Sequence, residues 1–316
     1  MEPSRNRRFA AARFAVLAIV AIVVAMPSMT AQPRYSDWST PVNLGSIVNS
    51  IANDTAPAMA KNGLSLYFQS PRPDGLGQSD IWVSQRNTVD ADWGPPVHLP
   101  VINSTLADIH PSLSRDGHLL FFSSSRPGGS GALDIWVSYR EHVHDDLAWQ
   151  PPVNIGPGVN TSGVEQDASF FENDDAGVAQ LFFSRGPMGA EDNYVSDLLL
   201  DGTFGPGIPV PELNTAVSDR GLTIRFDGLE VFFMSNRPGG YGSTDLWTAT
   251  RETVFDPWSA PTNLGEQVNS AGLEQVPEIG PDRETLYFAA NRTGGSGFLD
   301  LHETRRTKKN QADKDQ

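Results

Sequence analysis

Short apolar runs recur along the chain, each closed by a turn sequence. Ala56–Ala60 is one such run, ended by Lys61-Asn62-Gly63. Leu64–Ser70 follows, alternating around Leu66 and Phe68, and Arg72-Pro73-Asp74-Gly75-Leu76-Gly77 then forces a loop. A third run, Asp80–Arg86, carries Ile81-Trp82-Val83, and Trp93-Gly94-Pro95-Pro96 leads into a fourth at Val97–Leu99. Period-two alternation between Gly, Pro and Asn punctuation predicts strands joined by tight turns. The unit predicted is four antiparallel strands.

The unit repeats. Aligned stretches begin at Asp54, Asp108, Glu165, Asp219 and Glu274, spaced by 54, 57, 54 and 55 residues. Each acid stands five residues after an asparagine: Asn49, Asn103, Asn160, Asn214 and Asn269. Repeats of this length with four strands each are propeller blades. The fifth copy lacks its fourth strand, and the missing piece is at the front. Trp38-Ser39-Thr40-Pro41-Val42-Asn43-Leu44-Gly45 matches Trp258-Ser259-Ala260-Pro261-Thr262-Asn263-Leu264-Gly265. The fold predicted is an all-β five-bladed β-propeller over residues 32–305, closed by the N-terminal strand completing the last blade, which removes two open sheet edges. Residues 306–316 read as a disordered tail.

The pattern Pro-x-x-Ser-x-Asp-Gly, Leu-Phe-Phe-Ser-Ser-x-Arg-Pro-Gly-Gly and Asp-Ile-Trp-Val, clearest at Pro111–Val137, resembles the TolB-type WD40-like propeller repeat. The resemblance spans residues 38–305. It implies scaffold and interaction proteins of the bacterial envelope, with hydrolase or lyase sites on related propellers. Copy 3 departs most from it, with Arg185-Gly186-Pro187-Met188-Gly189 for the loop and Tyr194 where copies 1, 2 and 4 have Trp.

Residues 1–31 read as a signal peptide or N-terminal anchor. Arg5, Arg7, Arg8 and Arg13 precede the uncharged run Phe14–Met26, and Met29-Thr30-Ala31 offers a cleavage site. The run is short for a membrane span, so membrane association is expected only through an uncleaved segment. A periplasmic or secreted location follows. The chain has no cysteine, so neither a disulfide nor a lipoprotein anchor is available. Its net charge of −15 disfavours nucleic acid.

A residue present in every copy serves every blade, so its expected role is architectural. Asp54, Asp108, Glu165, Asp219 and Glu274 are expected to pair with Arg72, Arg126, Arg185, Arg237 and Arg292. The alternative is an acidic ring holding a calcium ion at the channel mouth; no other cofactor is expected. Asp80, Asp134, Asp192, Asp245 and Asp300 are expected to cap glycine-rich loops. The informative positions break the repeat. Two residues after each acid stand Ala56, His110, Asp167, Gly221 and Val276; one residue after stand Thr55, Ile109, Gln166, Arg220 and Gln275. His110 and Asp167 are candidates for acid–base chemistry, with Arg220 as anion anchor. Gln166, Gln275, His110 and Arg220 are the candidate ligand-binding set. His142-Val143-His144-Asp145-Asp146 reads as an exposed loop. The function expected is a binding or scaffold module for a protein, peptide or glycan. The alternative is a hydrolase or lyase acting on a carbohydrate or other small substrate at the channel mouth.

Overall fold

The computed structural model describes residues 35–309; the leader expected at 1–31 lies outside the described residues. Among those described, twenty strands form five four-stranded antiparallel sheets, with no helix. Blade 1 is β2 (Thr55–Met59), β3 (Ser65–Ser70), β4 (Asp80–Gln85) and β5 (Val97–His98). Blade 2 is β6 (Asp108–Leu113), β7 (Leu119–Ser124), β8 (Asp134–Tyr139) and β9 (Val153–Asn154). Blade 3 is β10 (Glu165–Asn173), β11 (Val178–Arg185), β12 (Asp192–Asp197) and β13 (Ile208–Pro209). Blade 4 is β14 (Asp219–Ile224), β15 (Glu230–Ser235), β16 (Asp245–Thr250) and β17 (Thr262–Asn263). Blade 5 is β18 (Glu274–Ile279), β19 (Thr285–Ala290), β20 (Asp300–Arg305) and, from the front of the chain, β1 (Val42–Asn43). Val42 pairs with Glu303 and Asn43 with His302, so the N-terminal strand closes the ring as predicted.

The apolar core is divided among five seams, with one cluster between each pair of neighbouring blades. The second strands explain this division. Phe121 faces one seam and Phe122 the other, and Phe232 and Phe233 divide in the same way. A strand buried on both faces needs consecutive apolar residues, not strict alternation.

The repeated polar residues fix the loops. Each first-strand acid is fully buried and accepts the amide of the Ser or Thr four residues earlier. Each also pairs with the arginine at the end of, or just after, the second strand of its own blade, at 2.5–3.1 Å. The five carboxylates are therefore engaged with arginines. Among the described residues no group of three or more His, Cys, Asp or Glu is arranged to hold a metal ion. Asp80, Asp134, Asp245 and Asp300 cap their glycine loops by accepting two amides each. Asp192, in the divergent copy, does not share this arrangement; the neighbouring Glu191 accepts the loop amide of Gly189 instead. Each repeat asparagine clasps the third strand before it through both backbone groups, as Asn103 does at Ile81. Asn49 does this to Leu301 across the closure.

Residue 306, expected to begin a tail, belongs to the fold instead. Arg306 is buried, its guanidinium paired with both oxygens of Glu230 at 2.6–2.7 Å and lying 3.9 Å over Tyr35 and 4.6 Å over Trp38. Arg86, Arg140 and Arg251 likewise stack on Trp93, Trp149 and Trp258 at 4.2–4.3 Å. Arg306 is thus the blade 5 member of a repeated Arg–Trp stack, completed by a tryptophan from the other end of the chain. Residues 310–316 lie outside the described residues.

Blade 5 also carries His302 where other blades have Trp or Tyr. It is buried, stacks on Phe288, approaches the Asp300 carbonyl through Nδ1 at 2.9 Å and lies in the field of Arg292. Burial holds its pKa below the ordinary value of 6.5, so the folded ring binds its proton less readily than the unfolded chain does. An unfolded chain takes up that proton as pH falls below about 6.5, so stability is lost on acidification. We predict that denaturant midpoints fall more between pH 7.5 and 5 for the wild type than for His302→Phe. Equal falls would remove His302 as the cause.

Candidate functional site

Every inner strand carries one irregularity at the same place. Its register against the second strand slips between the residue after the acid and the residue four after it. Inside the slip, two residues after the acid, the backbone is left-handed in all five blades: Ala56 (φ 51°), His110 (53°), Asp167 (56°), Gly221 (66°) and Val276 (43°). Glycine adopts this region freely, Asp and His tolerate it, and a β-branched Val enters it only under strain. A bulge re-aims the side chain it holds. The bulge amides are caught from the preceding blade: His110 N–H by Gln69 Oε1 (2.9 Å), Gly221 N–H by Ser184 Oγ (3.2 Å) and Val276 N–H by Met234 Sδ (3.4 Å).

Successive inner strands touch around the ring. Within it lies a cavity of about 20 Å³, bordered by His110, Asp167, Ser169, Thr223, Val276 and Glu278 among others. That is room for one water. His110 and Asp167, predicted as a pair, meet here: His110 Nδ1 stands 3.0 Å from Asp167 Oδ1. Arg220 reaches the other oxygen, donating from Nη1 to Oδ2 at 3.2 Å. Asp167 is 4% exposed. Burial alone would raise its pKa, but the facing His110 and Arg220 outweigh burial and hold the carboxyl well below the usual carboxylate range.

Glu278 borders the same cavity from blade 5, and reasoning from the sequence missed it. Its Oε2 accepts a hydrogen bond from Thr223 Oγ1 at 2.8 Å. It touches the water-sized cavity, and among the described residues no arginine or lysine pairs with it. Burial pushes it up to about 7, against the opposing hydrogen bonds from Thr223 and the Met59 amide. Two carboxyl groups in one channel thus differ in proton affinity for separate physical reasons, counter-charges at one and desolvation at the other.

Arg220 does not stand free as an anion anchor. Besides Asp167, its Nε lies 3.9 Å from Oε1 of Glu191, a buried carboxylate. A depression of about 190 Å³ opens beside them, lined by Met188, Glu191, Arg220, Met234, Asn236 and Gln275 among others. The divergent loop of copy 3 accounts for it. In the other blades the loop's last glycine (Gly77, Gly131, Gly242 or Gly297) packs so tightly that a Cβ would stand 2.0–2.2 Å from a backbone carbonyl across the seam. A Cβ at Gly189 would meet nothing. Of the two glutamines in the candidate ligand-binding set, Gln275 lines the depression, whereas Gln166 is buried and borders neither space. His142 and His144 are exposed, but Asp146 of their loop is buried, accepting from Ser65, Tyr67, Gln85 and Arg140.

The sequence matches no family model and no curated protein. Solved structures do match the fold. An α-L-arabinofuranosidase from Lactobacillus brevis is 12% identical, with 83% of this chain covering 93% of that one at a TM-score of 0.55. The catalytic domain of a GH62 α-L-arabinofuranosidase from Coprinopsis cinerea is 14% identical, with coverages of 87% and 98% and a TM-score of 0.57. A GH43 enzyme from Xanthomonas citri, complexed with xylose, is 13% identical, with coverages of 84% and 89% and a TM-score of 0.56. At these identities the likeness is one of fold. It corrects two expectations. No family model supports the TolB-type repeat, and the three solved structures named above are glycoside hydrolases. The scaffold-module expectation loses its basis with that resemblance.

Proposed function

We propose that the protein is a hydrolase of glycosidic bonds, working where the channel meets the depression above it. The observation that carries the reading is the split pair of carboxyl groups. Glycoside hydrolysis needs one carboxylic acid to protonate the leaving oxygen and one carboxylate to act on the opposite side. At neutral pH Asp167 is ionised and Glu278 holds a proton for much of the time. A sugar ring does not fit a cavity of about 20 Å³ but does fit the depression of about 190 Å³. The ring then lies against Arg220 and Gln275; Asp167 and Glu278 border the adjoining channel cavity and not the depression, so the reading requires the glycosidic bond to enter the channel mouth. The superposing glycoside hydrolases, one of them bound to xylose, support a glycan as the partner.

The test is turnover of chromogenic glycosides of neutral pentoses and hexoses by the purified protein. Release of the chromophore is expected, with a rate that falls as pH rises through about 7, where Glu278 loses its proton. On the acid side no matching loss is expected above the ordinary carboxylate range, because Asp167 stays ionised. No turnover across the panel, or a rate that rises through pH 7, overturns the reading.

A further inference from the structure

We infer that Glu191 selects the sugar: by neutralising Arg220 it makes the depression a site for a neutral ring and excludes uronates. The inference rests on the glycosidase reading above for its substrate but on separate residues for its logic. An arginine at the mouth of a sugar site ordinarily invites a carboxylate. Here the guanidinium lies between two carboxylates, Asp167 at 3.2 Å and Glu191 at 3.9 Å. Two carboxylates already face the one guanidinium before any ligand arrives, so Arg220 offers an anionic sugar no uncompensated charge.

Glu191 is held for this position. It is 3% exposed, and its Oε2 accepts the Gly189 amide at 2.9 Å and the Ser218 hydroxyl at 2.5 Å. Its Oε1 is left toward Arg220. Equivalent positions in the other copies are Ser79, Leu133, Thr244 and Leu299, so the acid belongs to copy 3 and not to the blade. The depression and the masking carboxylate therefore arise from the same departure from the repeat. A neutral ring still finds donors and acceptors there, from Gln275, Asn236 and the Glu191 edge.

The experiment compares binding of methyl glycosides of neutral sugars with their methyl uronides, by calorimetry, on the full wild-type chain and on Glu191→Gln. The wild type is expected to prefer the neutral ligand by ~10-fold or more, and Glu191→Gln to lose most of that preference through tighter uronide binding. Glu191→Asp is expected to restore it. A wild type that binds uronides as well as neutral sugars, or binds neither, overturns the inference, and so does a variant that weakens both ligands equally. If Glu191→Gln fails to fold, the wild-type comparison still decides. Turnover is scored separately: preference without hydrolysis sinks the hydrolase reading and leaves this one standing.

Discussion

A chain beginning at Ala52 is expected to lose the cooperative fold of the ring. The truncation removes β1 and with it the pairing of Val42 and Asn43 to β20. It removes Asn49, which clasps Leu301, and Val48, which is fully buried in the seam between blades 5 and 1. It also takes Tyr35 and Trp38 off the Arg306 guanidinium. The summed loss should exceed about 5 kcal/mol, comparable to the whole stability of an ordinary domain. Thermal melting and limited proteolysis check it, and a melting curve like that of the intact chain would refute closure by exchange of ends. A point version isolates one part. Glu230 sits between Arg225 (2.5 Å) and Arg306 (2.6 Å), all three buried. Glu230→Ala leaves two buried guanidinium groups without their shared carboxylate, which should cost about 3–5 kcal/mol.

How far the sequence could be read depended on the repeat. Blade number, strand order and closure were legible because five copies average out local ambiguity, and because residues 38–45 repeat residues 258–265. The end of the fold was misjudged although the signal was present. Arg86, Arg140, Arg251 and Arg306 each stand six residues after their third-strand acid, so the repeat runs through Arg306. His110, Asp167 and Arg220 were found by asking which residues break the repeat. The same question two positions further on reaches Glu278, which stands where other copies have Ala58, Ser112, Ser169 and Thr223. Members of both sets of positions border the channel cavity, His110, Asp167, Ser169 and Glu278 among them. Glu191 carried no such mark, since Asp192 beside it satisfies the repeat and its partnership with Arg220 is tertiary. The left-handed ring was also hidden. Asp, His and Gly suit that conformation, but Val276 and Ala56 do not, and the bulge imposes it on them from outside the local sequence.

Asp167→Asn should abolish hydrolysis while leaving the ring folded. Asn is among the residues best suited to a positive φ, so the bulge at 56° survives the change. The amide oxygen can still accept from Arg220 Nη1, as Oδ2 does now. What disappears is the negative charge between His110 and Arg220, which is what the proposed reaction uses. Loss of a positioned base or stabilising carboxylate lowers turnover by ~10²–10⁴-fold. Glu278 serves as the control for this change. Its pKa, pushed up to about 7, is set by burial against hydrogen bonds from Thr223 and the Met59 amide, none of them from Asp167. The residual activity of Asp167→Asn should therefore still fall as pH rises through about 7. Near-wild-type turnover would show that Asp167 only ties blades 2, 3 and 4 together, and the hydrolase reading would lose its charged half.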